Sequence, residues 1–163
     1  MKKLVLLLCV FMLLIVATGA ASAHNSQPGQ FSITGSTTSY DFKFFPNKNI
    51  TFFNTTAAGE SDGYLKGSFT FKEWGSVNLN PKTYEGSGEG VNTGLITITM
   101  KNDPDTQVII WYGGQLDAFA QQVTGNWHVV KGEGKWDDLE GHGNYAGSAG
   151  VEPFTVVFTG DFD

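Results

Sequence analysis

Arginine is absent from the 163 residues, and cysteine occurs once, at Cys9. Without guanidinium forks or a basic stripe, the chain lacks the means to grip nucleic acid or an anionic lipid surface. A single thiol allows no internal disulfide, so a small fold must be braced by packing or by closure of a sheet. No segment of ten or more residues carries a helical apolar stripe. The nearest is Gln115 to Val123, with Leu116, Phe119, Ala120 and Val123 at helical spacing, and it reads equally as a strand edge or a single turn. Nor does any apolar run reach the roughly 20 residues that a membrane-spanning helix requires.

The one pronounced apolar run stands at the start. Met1-Lys2-Lys3 leads into Leu4 to Val16, then Ala17-Thr18-Gly19-Ala20, and reaches Ala21-Ser22-Ala23 before His24. A basic start, a short apolar core and a small-x-small site predict a signal peptide over residues 1–23. The expected location is therefore secreted or extracytoplasmic, with no membrane attachment once the leader is removed. Cys9 follows Leu8, where a lipidation signal would want a small residue, so it reads as packing within the leader. Removing 23 of 163 residues leaves 140, enough for one domain with its own core. Lys2 and Lys3 leave with the leader, so eight lysines then face sixteen acids and the net charge moves from −6 to −8. Residues 24–30, polar with Pro28-Gly29, read as a flexible lead-in, and 31–163 as the domain.

Within the domain, short alternating runs are closed by turn residues. Tyr40, Phe42 and Phe44 alternate with Asp41 and Lys43; Leu65, Gly67, Phe69 and Phe71 alternate with Lys66, Ser68 and Thr70. Ile96, Ile98 and Met100 repeat the pattern, as do Phe154, Val156 and Phe158. Period two with abundant Thr, Val, Ile and aromatics is the strand signature. Pro46-Asn47-Lys48-Asn49, Asn80-Pro81, Asn102-Asp103-Pro104-Asp105 and Tyr112-Gly113-Gly114 supply turns. The pattern predicts an all-β domain of about eight to ten strands. Glycines inside the strand-like runs, at Gly35, Gly67, Gly125, Gly143 and Gly160 among others, favour a closed antiparallel barrel of about eight bent strands over a sandwich.

The densest glycine pattern is Gly132-Glu133-Gly134-Lys135-Trp136-Asp137-Asp138-Leu139-Glu140-Gly141-His142-Gly143-Asn144-Tyr145. Two Gly-x-Gly units are each followed two residues later by an aromatic ring. A helix would not be written this way, and the segment reads as bent barrel wall. It resembles the glycine-aromatic segment of secreted proteins built on the allene oxide cyclase-like barrel, to which dirigent proteins are similar. Val123 to Val130 and Phe154 to Phe162 fit the same pattern, so the resemblance covers roughly the last 40 residues. It implies a six- to eight-stranded antiparallel barrel with an apolar interior, in a superfamily that includes a cyclase and stereochemistry-guiding auxiliaries. The cyclase's catalytic residues match no positions here, so no catalytic role is carried over. Gly125-Asn126-Trp127 repeats the Gly-x-Trp triplet of lipocalins, but late in the chain and without a flanking arginine, and it does not extend to that family.

The reactive material is sparse. His128 and His142 would form an acid–base pair or metal site if register joined them to Glu133, Asp137 or Glu140; otherwise both imidazoles face solvent. Asp137-Asp138-Leu139-Glu140 places three carboxylates in four residues, but with no other acidic segment to complete a calcium shell it reads as a solvated turn. Gly86-Ser87-Gly88-Glu89-Gly90 precedes a strand and contains an acid, which excludes a phosphate cradle. No cofactor pattern is legible. Asn49-Ile50-Thr51 and Asn54-Thr55-Thr56 are glycosylation sequons.

Aromatics are the plentiful functional material: twelve Phe, five Tyr and four Trp beyond the leader. An eight-stranded barrel is just wide enough to be filled or to hold one small ligand. The first expectation is therefore a secreted barrel binding a small apolar or aromatic ligand at a mouth lined by Trp74, Trp111, Trp127 or Trp136. A cyclase or isomerase would instead need an ionisable group inside the barrel, for which Glu73, Glu85 and Glu89 are the nearest candidates. A structural protein would have a filled barrel and an apolar outer patch or an oligomer interface.

Overall fold

The alternating pattern resolves into eight strands. The computed structural model describes residues 27–163; the leader expected at 1–23 lies outside them. In chain order the strands are β1 (Gln27–Phe45), β2 (Ile50–Gly63), β3 (Gly67–Val77), β4 (Glu89–Met100), β5 (Gln107–Asp117), β6 (Gln122–Lys131), β7 (Gly141–Ser148) and β8 (Phe154–Phe162). Each pairs antiparallel with the next, and β8 returns to β1, closing an all-β barrel. Single 3-10 turns at Pro46–Lys48 and Gly134–Trp136 punctuate the connections. Gln115–Asp117 end β5 and Gln122–Val123 begin β6, so the one helical candidate is a strand end, a turn and a strand start.

Three local expectations need correction. Tyr112-Gly113-Gly114, read as a turn, lies inside β5 and pairs with both β4 and β6. Residues 27–30, read as lead-in, are the first four residues of β1: Gln27 pairs with Phe162 and Gly29 with Gly160. Pro28 is tolerated there because strand ends accept a residue without an N–H. The first Gly-x-Gly unit is not barrel wall. Gly134, at φ +61°, opens the 3-10 turn between β6 and β7, and only Gly141 and Gly143 lie in a strand.

A shift of register between Thr37 and Ser39 divides β1. Before it, Phe31, Ile33 and Gly35 are buried. One inserted residue reverses the side-chain parity, so Tyr40 turns toward the interior instead of an odd-numbered neighbour. Beyond Gly35 the strand has left β8 and pairs with β2 alone. The apolar alternation at Tyr40 and Phe42 therefore does not mark core: these rings are 57% and 50% exposed.

The core sits toward the end of the barrel that holds Gln27 and Asp163. Phe31 stacks on Phe158 with ring centroids 4.6 Å apart, and Trp127 meets Phe31 edge-on at 5.6 Å. Leu65, Ile98 and Phe162 complete this plug. Trp127 is 1% exposed, and its indole N–H is shared between the carbonyl oxygens of Asn144 (3.1 Å) on β7 and Thr159 (3.2 Å) on β8. One side chain from β6 thus spans two further strands. We expect Trp127→Ala to lower the unfolding free energy by about 3–5 kcal/mol, measured by urea denaturation. Trp74→Ala, on the outer wall, should stay within about 0.5 kcal/mol of the parent.

Candidate functional site

The opposite end of the barrel is not filled. A cavity of about 360 Å³ lies where β1, β3, β5 and β7 finish and β2, β4, β6 and β8 begin. Its walls are apolar and largely aromatic, with Phe53, Phe71, Ile96, Phe154 and Phe158 among them. Among its polar lining residues are Glu73 on β3, Asn92 on β4, Tyr112 on β5 and Tyr145 on β7, four side chains from four strands.

Strand parity places them. Glu73 continues the inward series Gly67, Phe69 and Phe71, and Asn92 stands on the face of Ile96, Ile98 and Met100. Tyr112 follows Val108 and Ile110. Two inward glycines make room for the tyrosine rings. A Cβ on Gly94 would come within 2.7 Å of the Tyr112 hydroxyl, and one on Gly125 within 2.7 Å of the Tyr145 ring. Each glycine is the direct cross-strand partner of its tyrosine. The two rings meet edge-on, 5.5 Å between centroids.

A hydrogen bond joins two of the four groups directly. The Tyr145 hydroxyl donates to Asn92 Oδ1 at 3.0 Å. Burial raises the Glu73 pKa above the usual carboxylate value, while the neighbouring Asn92 and Tyr112 side chains hold it partly down as hydrogen-bonding groups. Burial also carries the Tyr112 hydroxyl well above its ordinary pKa, with the Glu73 charge adding to the shift. Tyr145 is pushed up to about 12, first by burial, against its bond to Asn92 and with help from Glu73. At the rim, partial burial and then Glu73 raise Tyr40. Both inner tyrosines are therefore neutral donors, and Glu73 is the one acid among them.

None of the four tryptophans lines this cavity. Trp74 points outward from β3 and is 45% exposed. Trp111 faces outward from β5 and lies 5.1 Å from the His128 ring. Trp127 is sealed in the plug. Trp136 covers the closed end against Tyr64, and its ring nitrogen is buried without a partner. Glu85 and Glu89 are exposed, in the β3–β4 connection and at the start of β4, which leaves Glu73 as the interior member of that trio. His128 and His142 are direct cross-strand partners, yet both are exposed on the outer wall. Among the described residues, no group of three His, Cys, Asp or Glu side chains could hold a metal ion. Glu140 instead anchors the chain end through paired backbone bonds with Asp163. Asn92, Tyr112 and Tyr145 were missed as site residues, although period-two extension of their strands places Asn92 and Tyr112 inside.

No protein-family model matches this chain, and no curated protein matches it either.

A raised carboxyl pKa has a sign that can be measured. The folded state holds the Glu73 proton more tightly than the unfolded chain does, so this stabilising contribution is complete below the ordinary carboxylate pKa and fades as pH rises through the raised value. At pH 8 the folded protein carries the desolvation cost of the charge, and Glu73→Gln removes it while keeping hydrogen-bonding groups. We expect E73Q to melt at a higher temperature than the parent at pH 8, with the gap narrowing toward pH 4. Equal or lower melting of E73Q at pH 8 would contradict this electrostatic account.

Proposed function

We propose that the protein is a secreted barrel that binds one small apolar or aromatic molecule in the cavity at its open end. The carrying observation is the cavity itself: about 360 Å³, aromatic-walled, with a single convergent polar cluster. Small-molecule sites have this composition and a volume of about 300–1,000 Å³. Apolar walls supply affinity, while Glu73, Asn92, Tyr112 and Tyr145 orient one polar group of the ligand. The basic-apolar leader supports secretion, and the glycine-aromatic segment agrees with a relationship to the allene oxide cyclase-like barrels. A void of this size counts against the filled-barrel, purely structural reading.

One observation favours a second reading, an isomerase or cyclase using the same cavity. Glu73 is an interior carboxylate with a raised pKa beside neutral tyrosine hydroxyls, an arrangement suited to moving a proton on a bound, desolvated substrate. Binding comes first in either case and is the step to test.

The probe is N-phenyl-1-naphthylamine, an uncharged dye that brightens in apolar surroundings. Titration into the parent protein should give a saturable one-to-one increase in fluorescence. Thr55→Trp, which extends a ring from β2 into the cavity, should abolish the signal while preserving the far-ultraviolet circular dichroism. Trp74→Ala should bind as the parent does. An absence of binding by the parent, or undiminished binding by a folded T55W, would sink the proposal.

A further inference from the structure

Glu73 is an acid without a counter-charge. The cavity is lined by no lysine, arginine or histidine, and its second carboxylate, Glu152, is held at the rim by the Thr37 backbone N–H (3.0 Å). The ion pairs Lys66–Asp62 and Lys131–Glu133 are exposed, and none of their residues lines the cavity. Burying a carboxylate in apolar surroundings is costly unless something pairs with it. Here Asn92 and Tyr112 share the cavity as neutral hydrogen-bonding groups and bring no positive charge. A carboxylate has about four acceptor sites, so acceptor capacity remains free on the cavity side.

The surrounding rings point the same way. Tyr40, Phe53, Phe71, Tyr112, Tyr145 and Phe154 come from six different strands and face one space. Aromatic faces carry negative potential and attract a cation within about 6 Å of the ring centre. A carboxylate that shares a cavity with these rings, with no resident cation, is complementary to an ammonium group. It is repulsive to a carboxylate or phosphate.

We propose that the cavity selects cationic ligands: an apolar or aromatic body bearing a protonated amine, whose nitrogen pairs with Glu73 inside the aromatic ring set. This deepens the binding proposal and rests on it. The ligand supplies the missing counter-ion, so binding shifts Glu73 toward its ionised form. The titratable groups that face Glu73 are Tyr40, Tyr112 and Tyr145, with Glu152 at the rim. The three tyrosines stay neutral near physiological pH, leaving the acids to set the pH response.

A matched series tests the head group with the body held constant: 4-phenylbutylamine, 4-phenylbutanol and 4-phenylbutyrate, each displacing N-phenyl-1-naphthylamine at pH 7.5. The amine should bind at least about tenfold more tightly than the alcohol, the least expected of one charge-assisted hydrogen bond. The butyrate should be weakest. Amine affinity should fall as pH drops and Glu73 is protonated, while alcohol affinity stays flat. E73Q should bring the amine to the level of the alcohol, and Glu152→Gln should retain the preference. Equal binding of amine and alcohol, tighter binding of the butyrate, or loss of the preference in E152Q alone would overturn the assignment to Glu73. In those cases dye binding would still uphold the binding proposal. If neither dye nor any member of the series bound, both proposals would fall together.

Discussion

Several rings enter this narrow barrel where the neighbouring strand withholds a side chain. That constraint shapes much of the interior. Phe69 lies against Gly35 and Gly59, and a Cβ on either would come within 3 Å of its ring. Tyr112 and Tyr145 use Gly94 and Gly125 in the same way. The abundance of glycine and the abundance of aromatics are thus two sides of one packing solution. With no disulfide available among the described residues, ring-on-glycine packing and closure between β1 and β8 hold the wall together.

The same packing separates the two ends of the barrel. At the closed end, Phe31, Trp127, Phe158 and Phe162 interlock, and the only polar atom Trp127 brings is bonded to two carbonyl oxygens. At the open end the rings stand apart around a space, and the strands contribute Glu73, Asn92, Tyr112 and Tyr145 instead of further aliphatic groups. A half-buried acid in apolar surroundings lowers stability, and the plug at the closed end is where that loss is offset. Sites that bind or react commonly carry such local cost.

Much of this was legible in the chain. Period-two alternation in Ile96–Met100 and Phe154–Phe158 marks inward faces that the structure keeps. The same count from Phe69 through Phe71 reaches Glu73, from Ile96 back to Asn92 and from Val108 through Ile110 to Tyr112, so three members of the polar cluster can be located by parity alone. The tryptophans could not be placed that way. Trp111 and Trp127 both sit in well-formed strands, but β5 presents its even-numbered residues inward and β6 its odd-numbered ones. A bulky ring gives no sign of which face it occupies unless its neighbours' parity is read with it.

By itself the sequence determined strand content, the alternation of faces, and the need for closure in a chain without a disulfide among its domain residues. These follow from local side-chain chemistry and from counting. Only the tertiary structure decided where β1 changes parity, which barrel end is plugged, and which four strands bring their polar groups together. Each of those depends on register between residues far apart in the chain. A shift of one residue, such as that between Thr37 and Ser39, exchanges inside for outside with no trace in the local pattern.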